Sequence, residues 1–111
     1  MCALLTQDEK QILLLTARNA IENHAHSYPK EIINLDSYSS SLSSDGASFV
    51  TLTTIPGGHL RGCIGALEAY QPLILDVQEH AVAAAFEDYR FSPVQVGELK
   101  RILIEISRLT S

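Results

Sequence analysis

A proline and two glycines separate two strand-forming runs, and this arrangement constrains the fold more than any other stretch of the chain. Ser48-Phe49-Val50-Thr51-Leu52-Thr53-Thr54 is rich in β-branched and aromatic residues. Ile55-Pro56-Gly57-Gly58 follows, and a second strand-like run extends from His59 to about Leu67. Pro56 presets its own φ and Gly57 can supply a positive φ, which are the requirements of a type II turn. So short a turn cannot carry the chain over to a parallel neighbour. The two runs must pair antiparallel, as a hairpin.

The second arm contains Leu60-Arg61-Gly62-Cys63-Ile64-Gly65. Alternation puts Leu60, Gly62 and Ile64 on one face and His59, Arg61, Cys63 and Gly65 on the other. A thiol, a permanent cation and an imidazole therefore share a face. Glycine inside a strand weakens it and often marks a bulge or the close approach of another group. The run reads as a shaped site, with Cys63 as candidate nucleophile and Arg61, Gly62 and Gly65 as candidate ligand contacts. The alternative is a structural strand with a packed, inert thiol.

The remaining segments supply layers for this hairpin. Thr6-Gln7-Asp8-Glu9 matches a capping box, which predicts a helix to about Asn23. Leu14, Ala17, Arg18 and Ile21 fall at helical spacing, with Ile12, Leu13 and Leu15 widening the stripe. His24 and His26 lack a Cys, Asp or Glu at ligand spacing and read as solvated loop residues, with no metal site. Residues 29–48 read as a mobile, Ser-rich connection anchored by Ile32, Ile33 and Leu35. No serine in it has a base at a recognisable spacing.

Pro72 suits the first position of a second helix. Leu73, Val77, His80, Ala81 and Ala84 share one face of it, and the alanines permit close approach to a sheet. His80 on that apolar face reads as a hydrogen-bonded core histidine, or alternatively as a catalytic base. Asp88 lies near the C-terminal end of this helix, where an anion opposes the dipole. That mismatch predicts a partner for Asp88, either Arg90 or Arg61. Ser92-Pro93-Val94 breaks the chain, and 96–99 suits a short turn. Leu103 to Ser107 reads as a third strand, with Ile104 and Ile106 on one face and Glu105 and Ser107 on the other. The fold predicted is α+β: a small antiparallel or mixed sheet, made of the hairpin plus a third strand, with two main helices packed on it.

Composition narrows the function classes. The 111 residues suit one domain with a modest core. The net charge of -5, with eight basic residues in no run, argues against nucleic acid and against an anionic membrane surface. No apolar stretch approaches the roughly 18 residues that span a bilayer. Cys2 and Cys63 do not make a disulfide scaffold, and both are expected reduced in a cytosolic compartment.

With these segments placed, the chain resembles the AMMECR domain family. The resemblance rests on Phe49-Val50-Thr51-Leu52 followed, after the glycine turn, by Leu60-Arg61-Gly62-Cys63-Ile64-Gly65. It continues through Pro72-Leu73 with Ala81, Ala84 and Ala85, then Asp88, Arg90-Phe91, Ser92-Pro93-Val94 and Glu98-Leu99. Ile104-Glu105-Ile106-Ser107 and Leu109-Thr110 complete it. It is close from Phe49 to Ser111 and looser over the first helix. Tyr89 stands where the family usually has proline, and His80 where it often has asparagine. Family domains run on for about another half of their length after the strand ending near Leu109. The resemblance therefore implies a single domain over 1–111, shortened at its C-terminal end. It implies no securely established reaction. Some prokaryotic members are grouped with Memo-like and radical-SAM proteins, which implies partner proteins.

Two functions follow. In the first, Cys63 serves a small-ligand or thiol-dependent enzymatic site, with Arg61 favouring the thiolate. His59 is too far along the strand to act as base, since four strand residues span roughly 13 Å. The base would come from His80, Glu105, Asp88 or the later family segment that follows the strand ending near Leu109. In the second, the strand edges and the Arg61, Asp88 and Arg90 cluster recognise a partner protein or an anionic group. An open strand edge would also favour homodimers. No cofactor is expected on either reading.

Overall fold

The computed structural model describes residues 4–109, so the expectations for Cys2, Thr110 and Ser111 lie outside the described residues. Its elements are α1 (Gln7–Ala25), a 3-10 turn (Leu35–Ser37), α2 (Ser40–Ser43), β1 (Ala47–Thr54), β2 (Leu60–Gly65), α3 (Leu73–Phe86), a second 3-10 turn (Val96–Arg101) and β3 (Ile102–Leu109). β1 pairs antiparallel with both other strands, and the sheet order is β2-β1-β3. β2 and β3 thus run the same way with β1 between them. The chain must cross one face of the sheet to join them, and α3 makes that crossing.

Both long helices lie on this face. The core gathers Leu13, Ala17 and Ile21 of α1, Val77, Ala81 and Ala84 of α3, Val50 and Leu52 of β1, and Ile102 and Ile104 of β3. The buried stripe of α1 is Leu13-Ala17-Ile21, spaced by four, and Leu15 is exposed because it stands two positions off that line. The Arg18 guanidinium, on the same helix, donates to the carbonyls of Leu99 and Ile102 at 2.8 Å each. It ties α1 to the 3-10 turn before β3. The capping box forms as expected: Glu9 N–H donates to Thr6 Oγ1 (3.1 Å) and Thr6 N–H to Glu9 Oε1 (2.8 Å).

Two local expectations are corrected. The hairpin turn is not type II. Ile55 N–H donates to Arg101 O at 2.8 Å, so the ladder to β3 continues through Ile55, and Thr54 and His59 close the loop between the arms. Four residues turn within that loop, with a cis Ile55–Pro56 bond and positive φ at Gly57 (106°) and Gly58 (64°). Within 29–48, Ile33 and Leu35 pack at the core edge, whereas Ile32 is 95% exposed. The principal anchor there is Leu42 of α2, which is fully buried.

Candidate functional site

The register of the hairpin decides what β2 offers to its surroundings. Ile64 pairs with Val50 and Gly62 with Leu52, and Ala66 N–H donates to Ser48 O. The even-numbered residues thus bond inward to β1, and the Cys63 backbone faces the outer edge. Asp88 and Arg90, just beyond α3, close that edge. Cys63 N–H donates to Asp88 Oδ2 at 3.0 Å, and Arg90 Nη2 donates to Cys63 O at 3.3 Å. Arg90 also donates to the Asp88 carboxylate through its backbone N–H (3.1 Å), Nε (3.0 Å) and Nη2 (2.8 Å). The hydrogen bonds from the Arg90 side chain hold the Asp88 carboxyl well below the usual carboxylate range, against the opposing effect of burial and with help from the Cys63 and Arg90 N–H groups. The partner that the dipole mismatch called for is Arg90.

Arg61 is engaged elsewhere. The ladder matches Leu52 with Gly62 and Thr53 with Leu60, so Arg61 sits at a bulge, which re-aims its side chain. It grips Glu98 with two bonds, Nε to Oε1 at 3.0 Å and Nη2 to Oε2 at 3.2 Å. Those bonds lower the Glu98 carboxyl pKa, with help from the Gln95 N–H. Sequence reasoning did not single out Glu98. Its signal was the spacing of Glu98 three residues after Gln95, which here forms a capping box on the 3-10 turn.

The Cys63 side chain points to the sheet face that carries no helix, with Sγ 3.2 Å from Thr51 Oγ1. Thr51 pairs with Cys63 on one side and with Glu105 on the other. Glu105 and Cys63 are thus two strand spacings apart, about 10 Å. His80 lies on the opposite, helical side of the sheet. It is buried, and its Nδ1 stands 3.1 Å from Asp76 Oδ2 without an aligned hydrogen bond. Asp76 is fully buried and takes hydrogen bonds from Ser48 N–H (2.8 Å), Ser48 Oγ (2.7 Å) and Gln71 Nε2 (3.0 Å). The sheet therefore separates both candidate bases from the thiol, His80 by its face and Glu105 by an intervening strand. Asp88 reaches Cys63 through the backbone N–H.

Packing accounts for both glycines of the motif. A Cβ on Gly62 would fall 2.1 Å from Ala84 O, so the α3 backbone lies directly on this strand. A Cβ on Gly65 would meet the Phe49 ring and Ser48 O at 2.4 Å. His24 and His26 are exposed and pack on Phe86 and Tyr28, respectively. Among the described residues no group of three or more His, Cys, Asp or Glu side chains is placed to hold a metal, and no helix is long and apolar enough to cross a membrane.

Comparison with known proteins bears on this framework. The AMMECR1 family model matches residues 14–111. A Methanocaldococcus jannaschii protein, MJ0810, is 40% identical over 107 residues, covering 96% of this chain and 52% of the relative. A Sulfolobus acidocaldarius protein is 42% identical over 109 residues, covering 96% of this chain and 47% of the relative. The crystal structure of the uncharacterized protein PH0010 from Pyrococcus horikoshii superposes with a TM-score of 0.87 at 30% identity, over 96% of this chain and 53% of that one. The chain thus spans about half the length of the curated relatives it matches. The match runs from within α1 through β3 and takes in the Arg61–Gly65 strand with its Asp88–Arg90 clamp, and on that ground the chain belongs to the AMMECR1 family.

Proposed function

We propose that the chain is a protein-interaction module that works through the open face of its sheet. The observation that carries this reading is the state of the charges around Cys63. Arg61 is held by Glu98, and Asp88 is held by Arg90 and the Cys63 N–H. An activated thiol needs a cation or base directed at sulfur. Here the nearby ionic groups are directed at each other and at the backbone. The open face presents Phe49, Thr51 and Thr53 at its centre, and exposed Leu103, Glu105 and Leu109 on β3. Such a flat, mixed surface suits a polypeptide partner better than a buried small ligand.

The partner proposed is a polypeptide equivalent to the part of the relatives that this chain does not span. The test mixes the chain with a fragment of MJ0810 lying outside the matched region and follows binding by isothermal titration calorimetry. A complex is expected that survives Cys63→Ala and is lost in Thr51→Arg, which places a long cation at the centre of the face. No complex, or one abolished by Cys63→Ala and indifferent to Thr51→Arg, would overturn the reading.

The thiol reading keeps one observation of its own, the placement of Cys63 Sγ on the open face beside the Thr51 hydroxyl. The two readings differ over Arg61→Ala. On the module reading, the pH profile of Cys63 alkylation is the same in this variant as in the parent. A displaced profile would favour the thiol reading.

A further inference from the structure

Gln78 of α3 is only 4% exposed, yet its amide is not fully used. Its Nε2 donates to the Glu31 carbonyl at 2.9 Å, which fixes the orientation of the amide. Its Oε1 receives no hydrogen bond among the described residues. The fully enclosed side-chain atom left without a partner among those residues is His80 Nδ1, so Gln78 Oε1 keeps contact with solvent. Gln78 lines a cavity of about 200 Å³ in the helical layer, where that contact is made. One wall is α1, through Ala20, Asn23 and His24. The facing wall is α3, through Gln78, Glu79 and Val82. Tyr28, Lys30 and Glu31, which follow α1, and Glu87, the C-cap of α3, complete the lining.

The charges and acceptors of this lining select the ligand. Three glutamates, at 31, 79 and 87, stand against one lysine, Lys30, which makes no ion pair among the described residues. Glu79 Oε2 accepts the Tyr70 hydroxyl, and its Oε1 receives no hydrogen bond among the described residues. The bond to Glu79 pushes the Tyr70 phenol up to about 12, so at neutral pH Tyr70 remains the donor and Glu79 the acceptor. Gln78 and Glu79 thus each bring an open oxygen acceptor to the same wall. Ala20 and Val82 supply apolar surface. The volume is below the roughly 300–1,000 Å³ of a drug-sized pocket, which limits the ligand to a short chain. We infer that this cavity binds a primary ammonium on a short aliphatic stem. An ammonium carries three N–H donors and no acceptor, which matches open acceptors and an excess of carboxylate. An anion would have Lys30 and His24 to bind, with three carboxylates opposing it. The same chemistry is offered by a free small amine and by the lysine side chain of a partner.

This site lies between the helices, apart from the open sheet face proposed above, and its test is separate too. n-Butylammonium chloride is titrated into the chain at low salt, and the Gln78 side-chain amide and Val82 methyl groups are followed by NMR. Saturable shifts are expected at both residues, weaker when salt is added. n-Butanol, the neutral counterpart, should bind many-fold more weakly. Lys30 and Glu79 are exposed, so changing either leaves the core in place. Lys30→Gln removes the one opposing ammonium and should tighten binding several-fold, and Glu79→Gln should weaken it several-fold. A parallel titration with a lysine blocked at both its α-amino and carboxyl groups separates the sources. Tighter binding than n-butylammonium points to a lysine side chain, and weaker binding to a free amine. No saturable shift with either probe would overturn the proposal. So would n-butanol binding as well as the amine, or one dissociation constant shared by the parent and both variants. If Glu79→Gln failed to fold by circular dichroism, Lys30→Gln would decide alone: affinity equal to or below that of the parent refutes the site.

Discussion

Replacing Asp88 with alanine should destabilise the chain by about 3 kcal/mol at neutral pH. The carboxylate accepts four hydrogen bonds, one from the Cys63 N–H and three from Arg90. The Arg90 side chain is 47% exposed, so its guanidinium regains water when the carboxylate is removed, and those two bonds contribute little. The Cys63 and Arg90 backbone N–H groups have no such replacement on the covered edge. Hydrogen bonds to a charged acceptor contribute about 1.5–3 kcal/mol each, and two at the low end give about 3 kcal/mol. That is a large share of the roughly 5–15 kcal/mol available to a domain. Asp88→Asn keeps a neutral acceptor for the Cys63 N–H and should lose about half as much. The pH dependence supplies a second check. The Asp88 carboxyl is depressed in the folded chain by the Arg90 hydrogen bonds. Its stabilisation is therefore complete above the unfolded carboxylate value of about 3.9, and is lost as pH falls below that value toward the folded one. Urea unfolding at pH 7 and at pH 3 would measure this. The gap between parent and Asp88→Ala should be full at pH 7 and narrower at pH 3. A gap under about 0.5 kcal/mol at pH 7, or one that widens on acidification, would refute the clamp.

Two further changes probe the layers around the site. Gly62→Ala puts a Cβ 2.1 Å from the Ala84 carbonyl oxygen, and because that neighbour is helix backbone, α3 must move. Urea melts should show a loss of about 3 kcal/mol, the upper end for overpacking, while Gly97→Ala, which meets nothing within 4 Å, should not destabilise. Thr6→Ala removes the acceptor of the Glu9 N–H and should cost about 1 kcal/mol, seen as a fall in Tm of about 4 °C by calorimetry.

The elements were legible because their signals are local. The capping box at Thr6 and Glu9, the β-branched run at 48–54 and the apolar face of α3 each specify a short stretch whatever surrounds it. The turn was less legible. Pro56-Gly57-Gly58 announces a reversal, but where the reversal begins depends on Ile55 N–H finding Arg101 O, a residue 46 positions away. The stripe of α1 is narrower than helical spacing alone suggests, for a similar reason. Several leucines and isoleucines compete in α1, and only contact with α3 selects Leu13, Ala17 and Ile21.

The site divides in the same way. Local sequence places Arg61 and Cys63 on a strand, turns Gly62 the other way and leaves Asp88 in need of a partner. Strand alternation and the helix dipole are properties of the local backbone and need no tertiary contact. The tertiary structure alone decided which partners were chosen. It gave Arg61 to Glu98, Asp88 to Arg90 and the Cys63 N–H, and His80 to the neighbourhood of Asp76 on the far side of the sheet. Charges choose among several candidate partners by distance and orientation. Those distances exist only once α3 has crossed the sheet and β3 has come to lie beside β1.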